Sequence, residues 1–186
     1  MLYDLVLKNR SYRRFDESVR ISEDVLCELC NLARLSSSAA NRQTLKFRLV
    51  TSKEECDKVF SLTSWAGYIK DGAPKVGERP TAYIVVLNDD SIFKNSAIDI
   101  GIASEAILLG ATEKELGGCM ILSFKASSVS EALSLPDHLT PELVIALGKP
   151  VETVVIEDMK DNDVKYWRDE NSVHHVPKRS IAELIV

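Results

Sequence analysis

Thr81-Ala82-Tyr83-Ile84-Val85-Val86-Leu87, then Ser96-Ala97-Ile98-Asp99-Ile100-Gly101-Ile102-Ala103-Ser104-Glu105-Ala106-Ile107-Leu108-Leu109, then Gly117-Gly118-Cys119-Met120-Ile121-Leu122 together decide the fold. The first run is apolar without alternation, the pattern of a strand buried on both faces. The second predicts the longest helix of the chain, over about 96–115, with apolar residues on nearly every side. Such a helix belongs at the centre of a domain or in a subunit interface. Gly117-Gly118 reads as its stop, and Cys119 to Leu122 as a short central strand.

Working outward, Phe47-Arg48-Leu49-Val50 and Leu143-Val144-Ile145-Ala146-Leu147-Gly148 read as further strands. Ser22 predicts the cap of a helix running to about Arg34, with Glu23 and Asp24 in the turn where the dipole favours acids. Ser52 does the same for a helix to Leu62, and Ser128 to Leu133 reads as a small helix. The stretch 67–80 holds Gly67, Gly72, Gly77, Pro74 and Pro80, so it predicts an irregular excursion. Beyond Pro150 the chain turns polar, and 154–179 shows no assignable period. A tail of about 151–186 is too long to float, so it is expected to wrap a partner subunit. The alternation of helix and strand gives an α+β (α/β sandwich) fold: one domain over 1–186, with a central mixed β-sheet flanked by helices.

At 186 residues the chain suits one domain and is short for two. A net charge of -5 argues against a nucleic-acid surface. The longest apolar runs are too short to span a bilayer, and Asp4 and Lys8 interrupt the start before any leader-like run develops. The expectation is a cytoplasmic protein with no membrane partner. Cys27 and Cys30 have redox spacing, but inside a helical pattern rather than at a helix start after a strand, and Cys56 and Cys119 are isolated. Neither a redox nor a metal role is assigned.

Three polar segments stand apart. Arg10-Ser11-Tyr12-Arg13-Arg14 near the start and His174-His175-Val176-Pro177-Lys178-Arg179 near the end concentrate cations and hydroxyls in an acidic chain. Arg, Lys and Ser are the groups that hold a phosphate. Between them Ser36-Ser37-Ser38-Ala39-Ala40-Asn41-Arg42-Gln43 offers hydroxyls and amides, which suit the carbonyls and nitrogens of a heteroaromatic edge. Together they suggest a phosphorylated heteroaromatic cofactor, with FMN as the group whose needs they match. The adjacent His174 and His175 point apart in extended chain, so no metal is inferred from them. Tyr166-Trp167 reads as an anchor of the tail on its neighbour.

The chain resembles the FMN-dependent nitroreductase family from end to end. The resemblance is carried by Arg10 to Phe15, by Ala33-Arg34 with Ser38 to Gln43, by Asp99-Ile100-Gly101 through Gly117-Gly118-Cys119, by Val144 to Pro150, and by Pro177-Lys178-Arg179. It implies an NAD(P)H-dependent FMN oxidoreductase, an intertwined homodimer, working by ping-pong hydride transfer. NADH or NADPH is the donor and a nitroaromatic or quinone the small acceptor. It implies that Arg10, Ser11, Lys178 and Arg179 grip the phosphate, and that Arg13 reaches the ribityl chain or the pyrimidine edge. Ser37, Ser38 and Asn41 contact the ring from the partner subunit, with Gln43 on the same polar edge. The backbone of Ile121, Leu122 and Ser123 faces the flavin N5 side, and the helix from Ser96 to Glu115 forms the dimer seam. No catalytic acid is named. The chain departs from the family pattern at Asn9, at Thr44-Leu45 and at Leu122. The other class of reading is a flavin-binding carrier or sensor that does not turn over.

Overall fold

Alternation along one strand organises the molecule. In the computed structural model, which describes all residues 1–186, β3 (Ala82–Asp89) is buried along its whole length. Ala82, Ile84 and Val86 point into one core and Tyr83, Val85 and Leu87 into another, as a period of two demands. The elements before β3 are α1 (Leu2–Lys8), β1 (Phe15–Asp16), α2 (Glu23–Leu35), β2 (Leu45–Val50) and α3 (Lys53–Ser61). After it come α4 (Ala97–Glu113), β4 (Gly117–Ile121), α5 (Ala126–Ala132) and β5 (Leu139–Pro150). The tail holds β6 (Val154–Asp158), β7 (Trp167–Arg168), β8 (His174–Lys178) and α6 (Ile181–Leu184).

The central sheet runs β1-β5-β3-β2, with β4 on the same edge of β5 as β1, and its strand pairs are antiparallel. Parallel pairing enters at a single bridge, Ser11 to Gly118, and between β6 and β8. The α2 and α4 layer closes one face through Leu26, Leu29, Ile107 and Ala111, and α3 with α5 closes the other through Val59 and Val129. Each fully buried Leu or Ile contributes about 1.5–3 kcal/mol by leaving water, so the two cores account for the α+β sandwich expected from the sequence. No helix is long and apolar enough to cross a membrane.

Two local outcomes differ from the reading of the sequence. The glycine pair does not stop α4: the helix ends at Glu113, and Glu115 takes the left-handed reversal with φ 56°. Gly117 and Gly118 instead begin β4, where a Cβ on Gly118 would lie 2.5 Å from the Ala146 carbonyl oxygen. That close approach is the reason for glycine there. The tail is also ordered on its own chain, because β8 pairs with both β6 and β7 in a three-stranded sheet. Its short strands and mixed composition hid it from a periodicity search. The excursion 67–80 carries no helix or strand, as its Gly and Pro content predicts.

Candidate active site

The chain leaves α1 at Asn9 in an extended conformation and lays Ser11 beside Gly118, where the Tyr12 amide donates to the Gly118 carbonyl at 2.9 Å. This places Arg10, Ser11 and Arg13 around a cavity of about 300 Å³ that Lys178 closes from the far end of the chain. β8 supplies that wall by alternation: His174, Val176 and Lys178 face the cavity, while His175 turns away to stack on Trp167 at 4.1 Å. The two histidines do point apart. The acidic side chain in the wall, Glu105 of α4, is engaged by Asn9 Nδ2 at 2.9 Å, which leaves the cations dominant.

Arg13 is held twice. Its amide donates to the buried carboxylate of Glu152, and its guanidinium lies 4.8 Å from the centre of the Tyr166 ring, a cation–π contact. Glu152 also accepts from Arg168 Nη2 at 2.8 Å. Burial alone would push the Glu152 carboxyl up, but His174, the Arg13 amide and Arg168 hold it below its ordinary value. Tyr166 packs on Tyr68 and His174 of its own chain, at 5.0 Å and 5.3 Å.

A second cavity of about 200 Å³ shares Arg13, Met120 and Tyr166 with the first. Ile121, Leu122 and Ser123 form its floor at the end of β4, opposite Trp65. The Ser64 amide donates to the Ser123 carbonyl at 2.9 Å, tying the Trp65 segment to that floor. Leu122, at 72% exposure, presents a bare apolar side chain.

Ser37, Ser38 and Gln43 line a third cavity, about 220 Å³, which shares no lining residue with the first two. Asp99 organises it from the first turn of α4. Its carboxylate accepts from Ser38 Oγ at 2.6 Å and from the Ala39 amide at 2.8 Å, and Ser38 Oγ accepts from the Gln43 amide at 3.0 Å. Ala40, Asn41 and Gln43 all have φ between 51° and 52°, three left-handed positions without glycine, broken only by Arg42. Strain of this kind persists only where the surroundings over-determine it, and it gathers at functional sites. Asn41 itself is exposed and outside the cavity wall.

The structure thus brings Arg10, Ser11, Arg13 and Lys178 together, sets Ile121, Leu122 and Ser123 beside them, and keeps Ser37, Ser38, Asn41 and Gln43 apart. Arg179 lies outside all three cavities, with Nη1 donating to Asn162 Oδ1 at 3.0 Å and to Glu183 Oε1 at 3.3 Å. Glu152, His174 and Asp99 are residues of these cavities and their surroundings that sequence reasoning left without a role, and Tyr166 was read only as a tail anchor; the alternation of His174, Val176 and Lys178 was the signal for one of them. Among the cysteines, burial pushes Cys30 up to about 12, which disfavours its thiolate.

The chain is similar to known proteins over most of its length. A curated relative in Methanothermobacter thermautotrophicus, named as an NADH dehydrogenase/NAD(P)H nitroreductase, is 27% identical over 167 residues, covering 86% of this chain and 83% of its own. The crystal structure of a nitroreductase family protein from Clostridium novyi aligns over 98% of both chains, with a TM-score of 0.70 and 23% identity. An FMN-dependent nitroreductase from Clostridium difficile aligns over 86% of this chain and 91% of its own, with a TM-score of 0.66 and 24% identity. The model of the nitroreductase family matches residues 6–149, and the chain belongs to that family.

Proposed function

We propose that the protein is an FMN-dependent oxidoreductase that draws electrons from NADH or NADPH and passes them to a small electron-poor acceptor, a nitroaromatic or a quinone. The observation that carries this reading is the convergence of Arg10, Ser11, Arg13 and Lys178, from opposite ends of a chain with net charge -5, on one cavity. A phosphate monoester carries nearly two charges and accepts such donors well. The group fits by a further test: Arg10 Nε and both ring nitrogens of His174 are buried there without a hydrogen-bond partner. Buried polar groups are rarely left so unless a ligand meets them.

FMN, once bound, supplies the hydride-accepting ring. The chain's own part is to hold, orient and shield. Arg10, Ser11 and Lys178 bind the phosphate. Arg13, fixed through its amide by Glu152, lines both cavities and serves the ribityl or pyrimidine side. The backbone at Ile121, Leu122 and Ser123 offers polar groups to the N5 side, while the exposed Leu122 side chain and Trp65 keep the acceptor's surroundings apolar. No side chain is assigned as acid or base. Donor and acceptor use the same open face in turn, which makes the kinetics ping-pong.

The site is shared in a homodimer under this proposal. On α4, at 100° per residue, Asp99 and Ala103 lie on one edge of the buried face and Leu108 on the other. Between the edges, on the outer side, Ile98 is 73% exposed and Ile102 38% exposed. A second copy seated on this apolar stripe would present its Ser37, Ser38, Asn41 and Gln43 to the cation cavity of the first. Ile181, Leu184, Ile185 and Val186, all exposed, are the part of the tail that reaches the partner.

The test is an anaerobic visible spectrum of the purified protein, before and after NADH and then NADPH. A flavin band that bleaches with either nucleotide supports the enzyme and names its donor. A band that persists with both supports a carrier or sensor, and absence of flavin after reconstitution with FMN refutes the reading.

A further inference from the structure

His174 is the most deeply buried ionisable group of the candidate site, at 0% exposure. It belongs to the cavity face of β8, in register with Val176 and Lys178. Neither ring nitrogen has a hydrogen-bond partner, although imidazole always carries at least one N–H to place. A fixed anion stands close by: Nδ1 is 3.8 Å from Glu152 Oε2, within ion-pair reach but beyond a hydrogen bond. Glu152 cannot follow the ring, because its oxygens already accept from the Arg13 amide and from Arg168.

The other charges that face this ring are known. Arg168 is spent on Glu152, and Arg13 lies across the Tyr166 ring. Arg10, Lys178 and Glu105 line the open side of the cavity, with Glu105 engaged by Asn9. The ring is thus unpartnered and lines a cavity whose walls otherwise ask for an anion.

We infer that His174 is a further anion-binding residue of the cavity, donating a ring N–H to the phosphate of the bound cofactor while Glu152 steadies the opposite edge of the ring. A ring N–H turned to the cavity then has the phosphate as its acceptor. The inference rests on the FMN reading and deepens it. It assigns the tail sheet a direct part in recognition, since β8 then supplies two phosphate donors from one face. It also predicts discrimination between FMN and riboflavin, which differ at the phosphate alone.

The experiment measures the affinities of the apoprotein for FMN and for riboflavin by flavin fluorescence quenching, in wild type, His174→Phe and His174→Gln. His174→Phe keeps a flat ring and loses the donors; His174→Gln keeps an N–H and serves if the phenyl ring disturbs folding. A charge-assisted hydrogen bond to phosphate makes FMN about tenfold or more weaker in His174→Phe, with partial recovery in His174→Gln. Riboflavin affinity stays unchanged in both. Equal weakening of FMN and riboflavin, or unchanged FMN affinity, overturns the inference. A wild-type protein that binds FMN no better than riboflavin overturns the phosphate assignment of the whole cavity, a distinct failure visible before any variant is made.

Discussion

Gly118 and Glu152 show how tightly single positions are set around the cation cavity. A methyl group on Gly118 meets the Ala146 carbonyl at 2.5 Å and Leu108 Cδ2 at 2.7 Å, and the carbonyl belongs to β5, which cannot yield. Gly118→Ala is therefore expected to cost about 1–3 kcal/mol, read as a lower urea midpoint with unchanged slope. Glu152 makes a pH argument. Its folded pKa is held below the ordinary 4.5, so the stability it adds is fully present above that value and is lost as pH falls through the folded one. Glu152→Gln breaks a buried pair and should cost about 3 kcal/mol at pH 7. The gap between wild type and variant should narrow in urea titrations as pH falls below 4.5; a gap that is constant with pH would contradict the ionised carboxylate. The cations at Arg10, Arg13 and Lys178 were legible in the sequence because they stood against the net charge. Glu152, Tyr166 and His174 were not, since each gains its meaning from a fold-back of the tail that no local pattern announces.

At the scale of elements, legibility followed burial. β3 and β5 declared themselves because both faces are covered, and α2 because its cap and its stripe agree. α1 escaped because its seven residues bury none of their own side chains, so no amphipathic stripe was needed to form it. The three-stranded tail sheet escaped because β7 has two residues and the others five each, too short to build a period. The end of α4 was misplaced because the left-handed position fell on Glu115 rather than on glycine. The loop between α2 and β2 offers a prediction of its own. Asp99 closes it against its strained backbone, so Asp99→Ala should release the Ala39 amide, which donates to that carboxylate at 2.8 Å. Amide exchange at Ala39 and Gln43 should rise at least about tenfold, the equivalent of one lost charge-assisted hydrogen bond. Protection in β3 should not change.

For the whole molecule, the uncovered apolar surface matters most. Ile98 and Ile102 on α4 are exposed, and so are Leu2, Tyr3 and Val6 on α1, a helix that packs on α4. Scattered apolar side chains are ordinary on a protein surface; under the homodimer proposal those on α4 are covered by the second copy. The double variant Ile98→Glu with Ile102→Glu is expected to sediment as a monomer that keeps its helical circular dichroism and loses most of its FMN affinity. A dimer that persists would move the interface elsewhere.

The two edges of α4 carry a genetic consequence. In the proposed homodimer each chain holds the cation half of one site and the hydroxyl-and-amide half of another, and the two cavities share no lining residue. A protein damaged only at Arg10 and a protein damaged only at Ser38 and Asn41 are then each inactive alone. Mixed in one cell, they assemble hybrids in which one site gathers both injuries and the other gathers neither. Co-expression of the two should restore activity toward one quarter of the wild-type level, half the assemblies being hybrids with one sound site each. Two defective alleles would complement each other inside a single oligomer.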